Sequence, residues 1–327
     1  MTPAIQPLPP LRFERHTFEK VWGGRRLAPF LGLPGSDRPW GESWEVCDRD
    51  EAPSVVRDGP LTGTRLRDLV ARRGVELLGH ARPAAGGRFP LLVKFLDTAA
   101  PLSVQVHPSA SDPAGGEAKT EAWCFLDAAP DAQVWLGLAP GTAPDALRRA
   151  AGSAQIVPLL AAWPARPGEC ALVRGGTVHA IGAGVLLLEV QDNSDTTHRL
   201  YDWDRPGLDG RPRPIHVESA LRVAQAAPHE GPRAPQWSVV PGGRRARLAD
   251  CESFTLDRVE AAGGADDDTR DLAILWVVLA GRGRLSCGAG TVELAPGDVW
   301  LVPAATGRHR LEPTGGTLSL LRIGTTP

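Results

Sequence analysis

The sequence has one tyrosine, one methionine and only three lysines, Lys20, Lys94 and Lys119, beside 33 arginines. Its five cysteines, Cys47, Cys124, Cys170, Cys251 and Cys287, are odd in number, widely spaced and without a CxxC pair. That excludes a disulfide framework and a thiolate zinc site, and leaves reduced core residues. Basic residues (36) do not exceed acidic ones (38), and no basic stripe is interleaved with aromatics, so nucleic acid is excluded as a partner class. No stretch of 18 apolar residues offers a membrane span, so no membrane partner is expected. The opening stretch "MTPAIQPLPPLRF" has neither a basic start nor a continuous apolar core, so no secretory leader and a cytoplasmic location are expected. With lysine this scarce each one merits inspection, because a compact ammonium is desolvated and tuned in ways a guanidinium is not.

Helical periodicity is also sparse. Residues 65–78 carry apolar positions at helical spacing with Thr64 available as N-cap, and 143–152 and 216–225 give two further short helices. Most of the remainder is short β-like runs punctuated by Gly and Pro, among them "RFPLLVKFLD", "LSVQVHP", "GVLLLEVQ" and "LAILWVVLAG", a pattern that reads as a sandwich or jelly roll. The polar, Pro-rich stretch 224–238 marks a boundary, with a larger unit over 1–230 and a smaller β unit over 235–327.

In "SVQVHPSA" (103–110) strand alternation projects Gln105 and His107 to one face, and Val104 and Val106 to the other. Farther on, "PGECALVRGGTVHAI" (167–181) fits the second half of the cupin signature, G-x5-P-x-G-x2-H, at Gly168, Gly176 and His179, with Arg174 in place of the proline. A faint echo, "PGDVWLVPAATGRHRL" (296–311), keeps Pro303 but has Ala305 for the glycine and Arg308 where the histidine is expected, so only the first unit is expected to hold a metal this way. Glu121 lies between the two histidines in "KTEAW". Two imidazoles and a carboxylate with an open position form the ligand set of a catalytic zinc, and the Gln105 carbonyl is the natural fourth ligand. Glu189 follows four apolar residues on a buried strand, where a carboxylate must be paired, ligated or functional. Arg199 is its candidate partner.

The segments "KVWGG" (20–24), "WGESWEV" (40–46), "LDTAAPLSVQVHP" (96–108), "KTEAW" (119–123), "GTVHAIGAG" (176–184) and "EVQDNSDTTHRLYDWDR" (189–205) together resemble the short bacterial form of type I mannose-6-phosphate isomerase. The resemblance runs in order from about residue 12 to 225, with a weaker jelly roll to the end. It implies a mainly β fold, a cupin-type jelly-roll catalytic domain with a few helices and a smaller C-terminal β jelly roll. It implies interconversion of mannose 6-phosphate and fructose 6-phosphate, one Zn2+ per chain on positions matching Gln105, His107, Glu121 and His179, and an active-site arginine at Arg199. Departures are Arg174 at the usual proline and His198 where relatives often carry tyrosine.

Aldose–ketose isomerisation moves a proton between C1 and C2 through a cis-enediol, which calls for a base, a group that polarises the carbonyl and a grip on phosphate. Lys119, two residues from Glu121 and facing the same side, and Glu189 are the two candidate bases. Arg199 can stabilise the enediolate or fork onto phosphate oxygens, and Lys94 is a further candidate for phosphate or hydroxyl contact. The sequence also admits a non-catalytic sugar-binding cupin, which would need none of the Lys119, Glu189 and Arg199 set, and an iron cupin oxygenase. A monomer or weak dimer with a phosphosugar as its small-molecule partner is expected.

Overall fold

Four antiparallel sheets frame the molecule, which a computed structural model describes over residues 7–34, 38–112 and 116–327; the first six residues of the opening stretch lie outside these. The first pair of sheets is built from strands up to Tyr201. Its six-stranded sheet runs in the order His16–Gly24, Trp40–Val46, Leu91–Asp97, Val185–Asp192, Glu121–Ala128, Cys170–Val173. The facing five-stranded sheet runs His198–Tyr201, Val104–Val106, His179–Ile181, Gln133–Leu138, Leu160–Pro164.

The alternation read at 104–107 is realised. Val104 and Val106 are fully buried against Leu147, Ala150, Ala220 and Val223 of two short helices, Pro144–Ala150 and Val217–Val223, that cover the outer face of the five-stranded sheet. Gln105 and His107 point inward, between the sheets. The third expected helix forms over Leu66–Leu78, but Arg65 rather than Thr64 holds the cap position, without a side-chain hydrogen bond. All five cysteines are free; Cys251 and Cys287 are only half-buried, so they are not the core residues expected.

From Ser238 onward the same topology is repeated. The six-stranded sheet has the order Ser238–Val240, Gly243–Asp250, Phe254–Ala261, Leu318–Thr325, Ile274–Ala280, Val299–Val302, and a four-stranded sheet Ala265–Asp268, Arg308–Pro313, Gly283–Cys287, Gly290–Leu294 faces it. The two halves are not separate in their packing. Leu11 pairs with Leu301, and one apolar cluster joins Leu91, Val93 and Leu188 to Leu275, Leu301 and Leu321.

Cross-strand register makes the halves comparable position by position. Trp123 corresponds to Trp276, Glu189 to Arg322, Lys94 to Asp257, Glu42 to Arg245, Gln105 to Asp267 and Glu121 to Ile274. The expectation that Arg308 stands in the place of the second histidine is corrected: the turn is one residue longer, with a 3-10 segment over Ala304–Thr306, and His309 takes the place. Its Nδ1 bonds the carbonyl two residues back (Gly307) as that of His179 does (Thr177), and each ring lies edge-on to its tryptophan. The second half therefore keeps one histidine but inverts the charge at three equivalent positions and has isoleucine for the ligand carboxylate. Where the first half gathers acids, the second has the Arg322 guanidinium on Asp267 (2.6 Å).

Candidate metal centre and active site

His107 directly follows the short strand Val104–Val106, and His179 starts the strand beside it, so adjacency of the strands already brings the two rings near one another. The turn before His179 completes the approach. Gly176 N–H donates to His107 O at 2.8 Å, and a Cβ on Gly175 would fall 2.3 Å from Pro108 O, so only glycine allows the turn to lie this close. The Lys119 N–H donates to Pro108 O, and Asp192 accepts from Thr120 N–H at 2.8 Å, which fixes the start of the strand that bears Glu121.

Each imidazole donates its Nδ1–H to a backbone carbonyl, His107 to Thr196 O and His179 to Thr177 O, both at 2.8 Å. A carbonyl only accepts, so the tautomer is set and both Nε2 atoms turn acceptor lone pairs inward, that of His107 toward Lys119 Nζ and that of His179 toward the Gln105 side chain, an arrangement that orients metal-ligating histidines. Those Nε2 atoms lie 3.3 and 3.4 Å from the two Glu121 oxygens, and neither oxygen has an aligned hydrogen-bond donor although both are buried. A tetrahedral ion with ligands about 2.0–2.2 Å away places them about 3.3–3.5 Å apart. Three acceptors converge here in a dry site with the Lys119 ammonium beside them, and the chemistry of the set fits a divalent metal. Gln105 fits the fourth place: its amide nitrogen is 3.2 Å from His179 Nε2, and an amide flip presents Oε1 at the same point.

Charge in the site follows from burial. The His107 ring is pushed down to about 3 by desolvation and by the adjacent Lys119 ammonium, so it stays neutral; His179 is lowered by desolvation as well. Burial alone would raise the Glu121 carboxyl, but the Lys119 ammonium overcomes it and holds it well below the usual range. Lys119 Nζ sits 2.9 Å from Glu121 and 3.2 Å from His107 Nε2.

The structure pairs Glu189 with Lys94 (2.5 Å), not with Arg199. Glu189 also accepts from Trp123 Nε1 at 3.2 Å, and burial raises its carboxyl despite Lys94. Lys94 in turn faces Glu42, which accepts from Trp44 Nε1 (2.6 Å) and lies 3.3 Å from Lys20. Burial would raise Glu42; the Lys94 and Lys20 ammoniums hold it below its usual value. Sequence reasoning missed Glu42, and the available signal was an acid inside the buried run "WGESWEV".

Arg199 lies opposite Gln105, and its Nε is buried without an acceptor. Asp202, the nearest acid, is already engaged by Arg213 at 2.6 and 2.7 Å and by Arg205 at 2.9 Å. Arg205 keeps two buried N–H groups, on Nε and Nη1, without acceptors. The result is a row of guanidinium donors with too few acids to satisfy it. Arg174 reaches out of the first half to Asp250 O (3.4 Å), which gives the departure from proline a packing partner.

Residues 11–123 match the family model for the catalytic domain of type I phosphomannose isomerase. The chain is 34% identical over 307 residues to the mannose-6-phosphate isomerase ManA of Bacillus subtilis, covering 93% of this chain and 96% of that protein. It belongs to the mannose-6-phosphate isomerase family. The Streptococcus mutans mannose-6-phosphate isomerase is 33% identical over 297 residues, 90% of this chain and 92% of its own. A crystal structure of the Bacillus subtilis mannose 6-phosphate isomerase superposes with a TM-score of 0.86 at 28% identity, over 97% of this chain and 99% of that one. The mainly β, cupin-type architecture is thus that of the isomerase family. Among the described residues, the one cluster of three or more His, Cys, Asp or Glu side chains fit to hold a metal is His107, Glu121 and His179, and no helix is long and apolar enough to cross a membrane.

Proposed function

We propose that the chain interconverts mannose 6-phosphate and fructose 6-phosphate through a cis-enediol, with one zinc ion held by Gln105, His107, Glu121 and His179. The observation that carries this is the pairing of a buried three-acceptor centre with unsatisfied guanidinium donors: one end suits the oxygens of an open-chain sugar and the other a dianion. When bound, the metal supplies Lewis-acid polarisation of the sugar carbonyl.

The protein groups do the rest. Arg199, beside Gln105, stabilises developing negative charge, and Arg205 offers its free N–H pair to phosphate oxygens. Lys119 Nζ, pressed against two ligands, acts in its neutral amine form, taking the proton from one of C1 and C2 and returning it to the other. Glu189 is its competitor for that role, and its tie to Lys94 and Trp123 supports Lys119 instead. Lys94 and Glu42 set the polarity of the wall.

A coupled assay supplied with mannose 6-phosphate is expected to yield fructose 6-phosphate, to fail after chelation and to recover with zinc. No turnover by zinc-replete protein would sink the reading and favour a sugar-binding cupin, while recovery with iron(II) alone would overturn the assignment of zinc. In D2O, turnover is expected to carry solvent deuterium into product. Lys119→Met is expected to lose about 10²-fold or more of that incorporation and Glu189→Gln clearly less, with metal content measured alongside. The reverse ranking would make Glu189 the base.

A further inference from the structure

His198–Tyr201 is the edge strand of its sheet, and its register with Val104–Val106 breaks immediately after Arg199. An edge strand of four residues with a bulge is a poor anchor for a side chain on which charge stabilisation depends, since bulges re-aim the residues around them. Yet both backbone groups of Arg199 are satisfied on the outer side by a single residue. The His216 N–H donates to Arg199 O at 2.7 Å, and the Arg199 N–H donates to His216 Nδ1 at 3.2 Å. His216 thereby stands in for a neighbouring strand, its Nδ1 acting as the carbonyl that strand would have supplied.

This determines where the guanidinium goes. Because Arg199 spends its N–H and C=O on His216, it faces Gln105 as a non-hydrogen-bonded pair, the type in which opposed side chains approach most closely. The Arg199 side chain is thus directed beside a metal-site residue. Arg213 and Arg205 occupy Asp202, which removes the acid onto which it would otherwise fold.

We propose that His216 is a positioning residue for Arg199, holding its backbone so that the guanidinium reaches the reacting sugar. This rests on the isomerase reading above. Asparagine puts Oδ1 where histidine has Nδ1 and is itself a good residue at a helix N-cap, the place His216 holds before Val217–Val223, so His216→Asn keeps the acceptor while His216→Leu removes it.

The test uses the zinc-loaded protein and mannose 6-phosphate, with wild type, His216→Leu, His216→Asn, Arg199→Ala and the Arg199→Ala/His216→Leu double variant. His216→Leu is expected to lower kcat by about tenfold to hundredfold with zinc content unchanged, and His216→Asn to restore it to within about threefold. In the Arg199→Ala background the leucine is expected to cost nothing more, because residues acting through one group are not additive. Wild-type turnover by His216→Leu, an equal loss in the Arg199→Ala background, or an asparagine as impaired as the leucine would each overturn the proposal. Hydrogen exchange at the Arg199 amide decides the point without turnover: slow exchange is expected in wild type and His216→Asn, fast in His216→Leu, and slow exchange in all three would refute the clamp. Failure of wild type to isomerise would instead count against the function itself.

Discussion

Glu121→Gln is expected to lose the metal and at least about 10³-fold in kcat/KM, the range lost when a principal stabiliser of transition-state charge is removed. Among the described residues Glu121 is the only anion touching both Nε2 atoms, and the cation beside it is the Lys119 ammonium. A neutral amide retains the shape and gives up the charge on which a hard dication depends. The same change leaves the Lys119 ammonium buried without its counterion, which costs about 3–5 kcal/mol of stability in metal-free protein. Adding Lys119→Met removes the orphaned charge, so the double variant is expected to regain stability while staying inactive and metal-free. Metal analysis, steady-state rates and thermal melts on the single and double variants check this. Stoichiometric zinc in Glu121→Gln would remove Glu121 from the ligand set.

Arg199→Ala is expected to show the opposite combination: zinc fully retained, stability unchanged or slightly raised, and kcat reduced by about 10³-fold. The stability half follows from its surroundings. The guanidinium is pulled down from its usual pKa by burial and by the nearby Arg213, and its Nε bonds nothing, so the folded state gives up little with the side chain. The activity half follows from its place opposite Gln105, where no other uncommitted cation of the strand stands. Arg199→Lys is expected to recover only a small part, because an ammonium lacks the planar fork. A fully active Arg199→Ala would exclude it from the mechanism.

Much of the fold was legible because strand alternation and Gly/Pro punctuation are local. "VQVH" declared its two faces, and the three short helices lie within two residues of their expected bounds. The convergence of His107, Glu121 and His179 was legible as chemistry, since their residue types match one ligand set. Partnerships that depend on register between distant strands were not. Nothing near Glu189 in the chain announces that Lys94, 95 positions earlier, lies directly across from it, and the nearer Arg199 was the natural but incorrect choice. Thr64 failed as a cap because the chain stays extended one residue further, through Arg65. His309 was hidden by one extra residue in a turn. His216 gave no signal, because its role comes from which side of an edge strand it happens to border.

The mirror-image charges of the second half have a consequence for descent. It carries the matching histidine and tryptophan, yet no single replacement would arm it with a metal-binding set. A carboxylate at Ile274 alone would be stranded in an apolar sheet, and an acid at Arg322 alone would take the guanidinium off Asp267 and add a third carboxylate around Arg245, which already bridges Asp257 and Asp267. Only several simultaneous replacements avoid an uncompensated charge. A built-in guanidinium is in this sense a latch on the charge pattern: residues of that half can be exchanged one at a time only where no buried charge is left alone.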